Sequence, residues 1–359
     1  MTWRRMQSHG GQVRRKADLR QGCDDLIESA SPARYIRRSA LRAAVFGQRG
    51  SAYHSMWDRS PVIGRATVTG QVADVSPHIV VLHTAQGEQR ITLSPCTTAW
   101  RGATVPPAGL RTGDVAIVRR HAKRNVAERI WAQIGRVSGT IIETDGTALL
   151  IDKGSARRGR AIVLIDKSSL RKIQVRFPRL EPGYLIDVIG LRQQGYLQAL
   201  TPATSQPPYR AGHPPAPPLI SGHIPVPVSG TAVWHEQGAE PPGLLGVAYP
   251  ALDPETSCER GTAPAGPHVV DPHVTGPGCV RLPYLSVGSA VRIRNECAGR
   301  SAVLPVTSCG ASARLFCDRC AECGPSPRGR IADLTKAAFV ELGGNLEDGC
   351  FNATLAIAN

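Results

Sequence analysis

The sequence predicts an all-β protein assembled from small closed barrels, and three observations point there. The 359 residues include 37 glycines and 29 prolines, which favours short strands and turns over long helices. Hydrophobic residues make up 42% of the chain and aromatics only 5%, so its cores have to be built mainly from Ala, Val, Leu and Ile. Apolar residues recur in short alternating runs, such as 79–82 with 90–93 and 148–151 with 161–165. Turn residues punctuate those runs at Gly87, Gly113-Asp114, Asp145-Gly146 and Pro182-Gly183. The length indicates two or three domains. No stretch approaches the roughly 18 apolar residues of a membrane-spanning helix, which excludes an integral membrane segment of that kind.

Charge and cysteine divide the chain in opposite ways. Residues 1–60 carry 12 basic and 5 acidic side chains, residues 61–205 carry 20 and 10, and residues 206–359 carry 11 and 13. The excess of positive charge, +15 in all, therefore belongs to the first 205 residues, which can face a polyanion. Residues 1–60 show no sustained periodicity and read as a basic, largely disordered tail with a short helix near 35–46. Cys23 and Cys96 stand apart, whereas the other eight cysteines fall between Cys258 and Cys350. Eight in about a hundred residues indicates a disulfide framework and an oxidising compartment, with reduced thiols or a metal site as the alternative. The N-terminus has basic residues but no apolar run of signal-peptide length. The expected location is therefore secreted or wall-associated without a recognisable signal, with the cytoplasm as the alternative.

Residues 63–203 carry an internal duplication. Val68 of TVTG aligns with Val137 of RVSG at an offset of 69, and Gly113 of GLRTGDV aligns with Gly183 of LEPGYLIDV at an offset of 70. Each copy reads as a small antiparallel barrel, with boundaries expected at 61–135 and 136–203. The segment 110–118 resembles small bacterial OB-like domains. Such barrels often bind oligonucleotides or oligosaccharides on one face, but aromatic residues for base stacking are sparse: Trp100, Trp131, Phe177, Tyr184 and Tyr196. Two basic clusters are read as loops that could meet phosphate or another anionic polymer, one of Arg119, Arg120, Lys123 and Arg124, the other of Arg157, Arg158 and Arg160.

Nine prolines between 202 and 227 mark an extended linker, placed at 204–228, and the segment 229–359 is the third domain. The linker is expected to separate two independently folded pieces. Strands are expected at 231–234, 246–249, 290–294, 302–306 and 354–357. A helix at 335–342 has Asp333 or Thr335 as cap, Gly343-Gly344 as its end, and Ala338, Phe339 and Leu342 on one core-facing side.

The blocks LPYLSVGSAVRIRN at 282–295, GRSAVLPVTSCG at 299–310 and CDRCAECGPSPRGRIADLTKAAFVELG at 317–343, with GVAYPALDP at 246–254, resemble the double-psi β-barrel shared by rare lipoprotein A, expansins and barwin-like proteins. The resemblance implies a six-stranded C-terminal barrel and a groove that accepts a polysaccharide. Asp318 matches the family's "DRC" aspartate and Asp333 that of "IDLS". Both are implied to point into the groove, with Tyr249, Tyr284 and Glu322 beside it. Glycoside cleavage needs an acid that reaches the leaving oxygen, and an inverting hydrolase needs a second carboxylate to activate water. Two departures from the family pattern stand out. Cys279-Val280-Arg281 occupy the place of the usual histidine before the LP motif, and the turn at 308–316 is enlarged.

The expected function is binding or remodelling of a bacterial cell-wall polysaccharide or other anionic polymer. If the protein is an enzyme, it would be a lytic transglycosylase or glycoside hydrolase with Asp318 and Asp333 as catalytic residues, and it would need no cofactor. The alternative is a non-enzymatic protein binding nucleic acid or another polyanion, its last domain a structural module. In that case Cys309, Cys317, Cys320 and Cys323 could hold zinc.

Overall fold

A computed structural model of the chain describes residues 66–121, 124–154, 159–203, 210, 227–236, 242–250, 282–310, 316, 318–326 and 328–358. The expectations for residues 1–60, for Lys123, Arg157, Arg158 and Cys317, and for nearly all of the 204–228 linker lie outside these residues. No helix among the described residues is long and apolar enough to cross a membrane.

The protein is all-β, with three closed barrels. Barrel 1 comprises β1 (Thr67–Val75), β2 (Ile79–Thr84), β3 (Gly87–Trp100), the short β4 (Thr104–Val105), β5 (Val115–Arg120) and β6 (Val126–Ala132). Its strands run in the order β2-β1-β5-β6-β3-β4, and pairing of β2 with β3 closes the ring. Barrel 2 comprises β7 (Ile134–Asp145), β8 (Ala148–Asp152), β9 (Arg160–Ile165), helix α1 (Lys167–Gln174), β10 (Leu185–Arg192) and β11 (Tyr196–Pro202), closed as β10-β11-β9-β8-β7. The two orders are the same once the offset is applied, down to one parallel pair in each, β3 with β6 and β9 with β11.

The duplication extends to backbone detail. The β1–β2 ladder shifts register between Val72 and Asp74, and the β7–β8 ladder between Ile141 and Glu143, 69 residues on. Gly70 and Gly139 sit where a Cβ would lie 2.5 Å from the His83 carbonyl oxygen and 2.0 Å from that of Asp152, so each copy requires glycine at its tightest strand crossing. The copies differ after the third strand. Barrel 2 inserts α1, whose N-cap Asp166 accepts from the Ser169 amide at 2.7 Å; hydrogen bonds from Ser168 and Ser169 lower the Asp166 carboxyl to about 2. Sequence analysis placed no helix there.

Barrel 3 comprises β12 (Val228–His235), β13 (Val247–Tyr249), β14 (Ala290–Asn295), β15 (Arg300–Cys309), β16 (Arg330–Thr335), helix α2 (Lys336–Glu341) and β17 (Cys350–Ile357). It closes as β12-β16-β13-β15-β14-β17, with parallel pairs β12–β16 and β13–β15, a six-stranded arrangement compatible with a double-psi barrel. Five of its strands were expected. The sixth, β16, lies inside the block read as a lead into the helix. Thr335 caps α2, its hydroxyl accepting from the Ala338 amide at 3.3 Å, and Gly343 at φ +85° ends it. Ala338, Phe339 and Leu342 are fully buried, as their spacing predicts.

The barrels are not separate beads. Residues 60–359 form one compact unit. The largest apolar core joins Trp100, Ile117 and Trp131 of barrel 1 and Ile189 of barrel 2 with the interior of barrel 3. α2 and the turn after it dock on barrel 1. The buried Glu341 accepts from the Ala66 amide at 3.1 Å, Trp131 Nε1 donates to Asn345 Oδ1 at 3.2 Å, and Arg129 Nε donates to Glu347 at 3.0 Å. A protease nick between residues 204 and 226 is therefore expected to leave both halves in one particle on size-exclusion chromatography. Elution of two separately folded pieces would show that the shared core contributes little.

Candidate functional site

Asp318 lies in a chain of four buried charges joining barrels 2 and 3. Arg330, in β16, donates from Nε to Asp318 Oδ1 at 2.8 Å and from Nη2 to Asp187 Oδ2 at 2.6 Å. Asp187, in β10, accepts in turn from Arg136 of β7 at 2.8 and 2.6 Å. Arg136 completes its shell on the backbone carbonyls of Trp234 and Gly349, at 2.9 and 2.7 Å. The Arg330 guanidinium also lies 4.2 Å over the Phe316 ring. All four side chains are 0–1% exposed.

Burial opposes the charged form of Asp187, Asp318 and Arg330, and the geometry decides which of them escapes it. Asp187 lies between two guanidiniums; burial pushes its carboxyl up, but Arg136 and Arg330 overcome that and hold it below the usual range. Asp318 has one guanidinium in direct contact, and burial wins, pushing its carboxyl up. For Arg330 burial opposes the charge, yet Asp318 and Asp187 outweigh it and raise the guanidinium further.

Asp333 is fully buried in the middle of β16, paired across the ladders with Val233 and Ala248. It adds to the negative field at Arg330. Asp318 and Asp333 are thus both enclosed in the protein, Asp318 in direct contact with Arg330 and Asp333 acting on it through its field alone. Neither lines an open groove among the described residues, and an acid must reach the oxygen it protonates. Tyr249 is buried as well; its hydroxyl donates to the Pro283 carbonyl at 2.8 Å, and burial raises its pKa. Tyr284, next to that carbonyl, is half-buried. Glu322 stands at the surface, where partial burial and then Asp348 push its carboxyl up.

Cys320 is bonded to Cys350 and Cys323 to Cys297, and Cys309 is also in a disulfide. The expected disulfides are present at these described positions, and Cys317, the fourth cysteine of the zinc alternative, lies outside the described residues. The first basic cluster is only partly a loop. Arg119 and Arg120 belong to β5 and are half-buried, because β5 continues to the edge where barrel 1 meets barrel 3. Arg119 lies 5.5 Å over Trp131, pairs with Glu128 at 3.2 Å and donates to the Gly343 carbonyl at 3.5 Å. Arg124 and Arg160 are exposed.

A second feature was not singled out in the sequence. All three barrels wall a cleft of about 290 Å³. Its polar side is Glu236, just past β12, which holds both Arg192 of β10 and Lys336 of α2. Lys336 also donates to the Ile134 carbonyl at 3.1 Å. Val115, Ile117, Ile134 and Leu244 supply the apolar side. Gln133, in the tight link between β6 and β7, completes the wall at φ +53° and is the one non-glycine residue with positive φ among those described. The charged residues are far apart in sequence and carry no shared motif, and the link at Gln133 is a single residue between two strands.

No family model matches the chain, and no curated protein matches it.

Removing one member of a buried charge network leaves its partner uncompensated, at a cost of about 3–5 kcal/mol. Asp187→Asn is expected to lower stability by that order in urea melts at pH 7, and Asp318→Asn by less, because Asp187 serves two guanidiniums. The signs with pH are opposite. The depressed Asp187 contributes stability above the unfolded carboxylate value of about 3.9, lost as pH falls through its lower folded value. The raised Asp318 contributes fully below about 3.9 and loses that contribution as pH rises through its higher folded value. Asp187→Asn should therefore flatten the acid limb of the stability profile, a change that urea midpoints between pH 2 and 7 will reveal.

Proposed function

We propose that the protein binds a cell-envelope polysaccharide without cleaving it, the third barrel supplying the glycan-facing module and the basic barrels holding it on an anionic polymer. The observation that carries the non-cleaving part is the enclosure of Asp318 and Asp333, with Asp318 committed to Arg330. The glycan part is supported by the residue blocks that resemble rare lipoprotein A and expansins, whose described residues lie on strands and turns of one closed six-stranded barrel. An expansin-like protein loosens glycan packing without breaking bonds, and its groove has no need of a solvent-facing acid pair. Disulfides in the third barrel fit an oxidising compartment outside the cytoplasm, where such a polymer is found.

The nucleic-acid alternative is the weaker one on a specific observation. Trp100, Trp131, Phe177 and Tyr184 are at most 6% exposed, which leaves Tyr196, 36% exposed, as the one exposed ring of the five and too little for a base-stacking platform. Charge alone then remains to attract nucleic acid.

The full chain is expected to co-sediment with purified peptidoglycan or cellulose, to release no soluble sugar, and to bind more weakly at 300 mM than at 50 mM salt. Soluble product that disappears in Asp333→Asn would replace binding with catalysis. Retention on DNA with none on either glycan would favour the polyanion alternative.

A further inference from the structure

We propose that the cleft where the three barrels meet is a binding site for a small hydroxylated monocarboxylate, of the size and chemistry of a single uronic-acid sugar. The site is built from other residues than Asp318 and Asp333 and does not rest on the polymer-binding role proposed above.

Charge comes first. Arg192 and Lys336 share the Glu236 carboxylate, which leaves the trio with one net positive charge inside a partly apolar cleft. Among the described residues Glu236 is the ion-pair partner of Arg192, whose side chain is 46% exposed. The planar guanidinium therefore keeps donors for a carboxylate, its natural bidentate partner. Burial already weakens its hold on the proton, so an incoming anion is favoured there over water.

The neutral groups set the rest of the ligand. Thr69 lines the cleft, and its buried hydroxyl has no hydrogen-bond partner among the described residues. The Gln133 carboxamide lines it too, without a side-chain hydrogen bond to any described residue. A ligand hydroxyl would supply the hydrogen bond that the Gln133 carboxamide lacks, and a small shift of the wall would let it reach the Thr69 hydroxyl as well. Val115, Ile117, Ile134 and Leu244 suit the C–H faces of a sugar ring. The volume, about 290 Å³, lies at the small end of ligand sites and admits one ring rather than a chain.

Gln133 supplies independent support. A non-glycine residue at positive φ is strained, and such strain persists where the surroundings over-determine it. Here its amide donates to the Val115 carbonyl at 2.8 Å and its carbonyl accepts from the Arg192 amide at 2.7 Å. One residue thus ties the link between barrels 1 and 2 to the strand that carries the cation, and its side chain joins the cleft wall.

The test is calorimetric titration of the full chain with D-glucuronate and with D-glucose, which has the same ring with a hydroxymethyl group for the carboxylate. Glucuronate is expected to bind at least 10-fold more tightly than glucose, and more weakly as salt is raised. Arg192→Gln should lose at least 10-fold in glucuronate affinity with an unchanged melting temperature. Gln133→Gly should also weaken binding, yet preserve or raise the melting temperature, because glycine accepts the positive φ. Equal affinity for the two sugars, no binding of glucuronate by the wild type, or unchanged affinity in a folded Arg192→Gln would overturn the proposal. Glycan co-sedimentation that persists in Arg192→Gln would leave the polymer-binding role standing, so the two ideas can fail separately.

Discussion

The alternating chain Arg136–Asp187–Arg330–Asp318 is the interaction on which the arrangement of barrels 2 and 3 depends. Its four side chains come from β7, β10, β16 and the segment before β16, and none is more than 1% exposed. Isolated, each of these charges would be prohibitively costly to bury. Together they form a neutral set in which each carboxylate meets at least one guanidinium. The network has little value as a source of stability, since a well-packed apolar replacement could do as well. Its value lies in geometry. Planar donors and acceptors fix the rotation of one barrel on the other in a way that an apolar contact does not. The carbonyls of Trp234 and Gly349 tie that rotation to the backbone of barrel 3.

The same chain accounts for the enclosure of Asp318, which is 3% exposed over the whole residue. Asp318 faces barrel 2, where Arg330 of β16 joins it to Asp187 of β10. Docking of barrel 2 on barrel 3 thus makes Asp318 part of an interface contact. The cleft bounded by Arg192, Glu236 and Lys336 is the complementary product of that packing, because it exists only where the three barrels leave a gap.

Local pattern carried most of the fold. Short alternating runs pointed to strands of barrels 1 and 2, and the constant offset pointed to their shared topology, because a duplicated ladder repeats its glycines, bulges and turns at the same spacing. α1 was missed because Lys167–Gln174 has just two buried residues, Ser169 and Ile173, too few to show helical periodicity. β16 was missed because all six of its residues are buried, which removes the alternation that identifies a strand. The site was harder to read for a different reason. Whether an aspartate faces solvent or an arginine depends on Asp187, which is 131 positions away from Asp318, and no local signal carries that. The basic cluster at 119–124 illustrates the same limit: charge marked it as surface, yet Arg119 lies over Trp131 at a barrel contact.

The two copies of the duplicated barrel also show how one scaffold made two kinds of contact. In barrel 1 the β1–β5 ladder places Thr69 opposite Ile117; in barrel 2 the β7–β10 ladder places Ser138 opposite Asp187, the equivalent pair after the offset. Both faces turn toward barrel 3. Ile117 joins the shared apolar core, whereas Asp187 anchors the ion chain. The ionic contact is directional and closes fully around its charges. The apolar contact is not directional, and beside it Thr69, Val115 and Ile117 are left lining the cleft. Divergence of a single strand position between the copies, isoleucine in one and aspartate in the other, therefore separates an apolar contact from a buried ion chain, and the cleft opens beside the isoleucine.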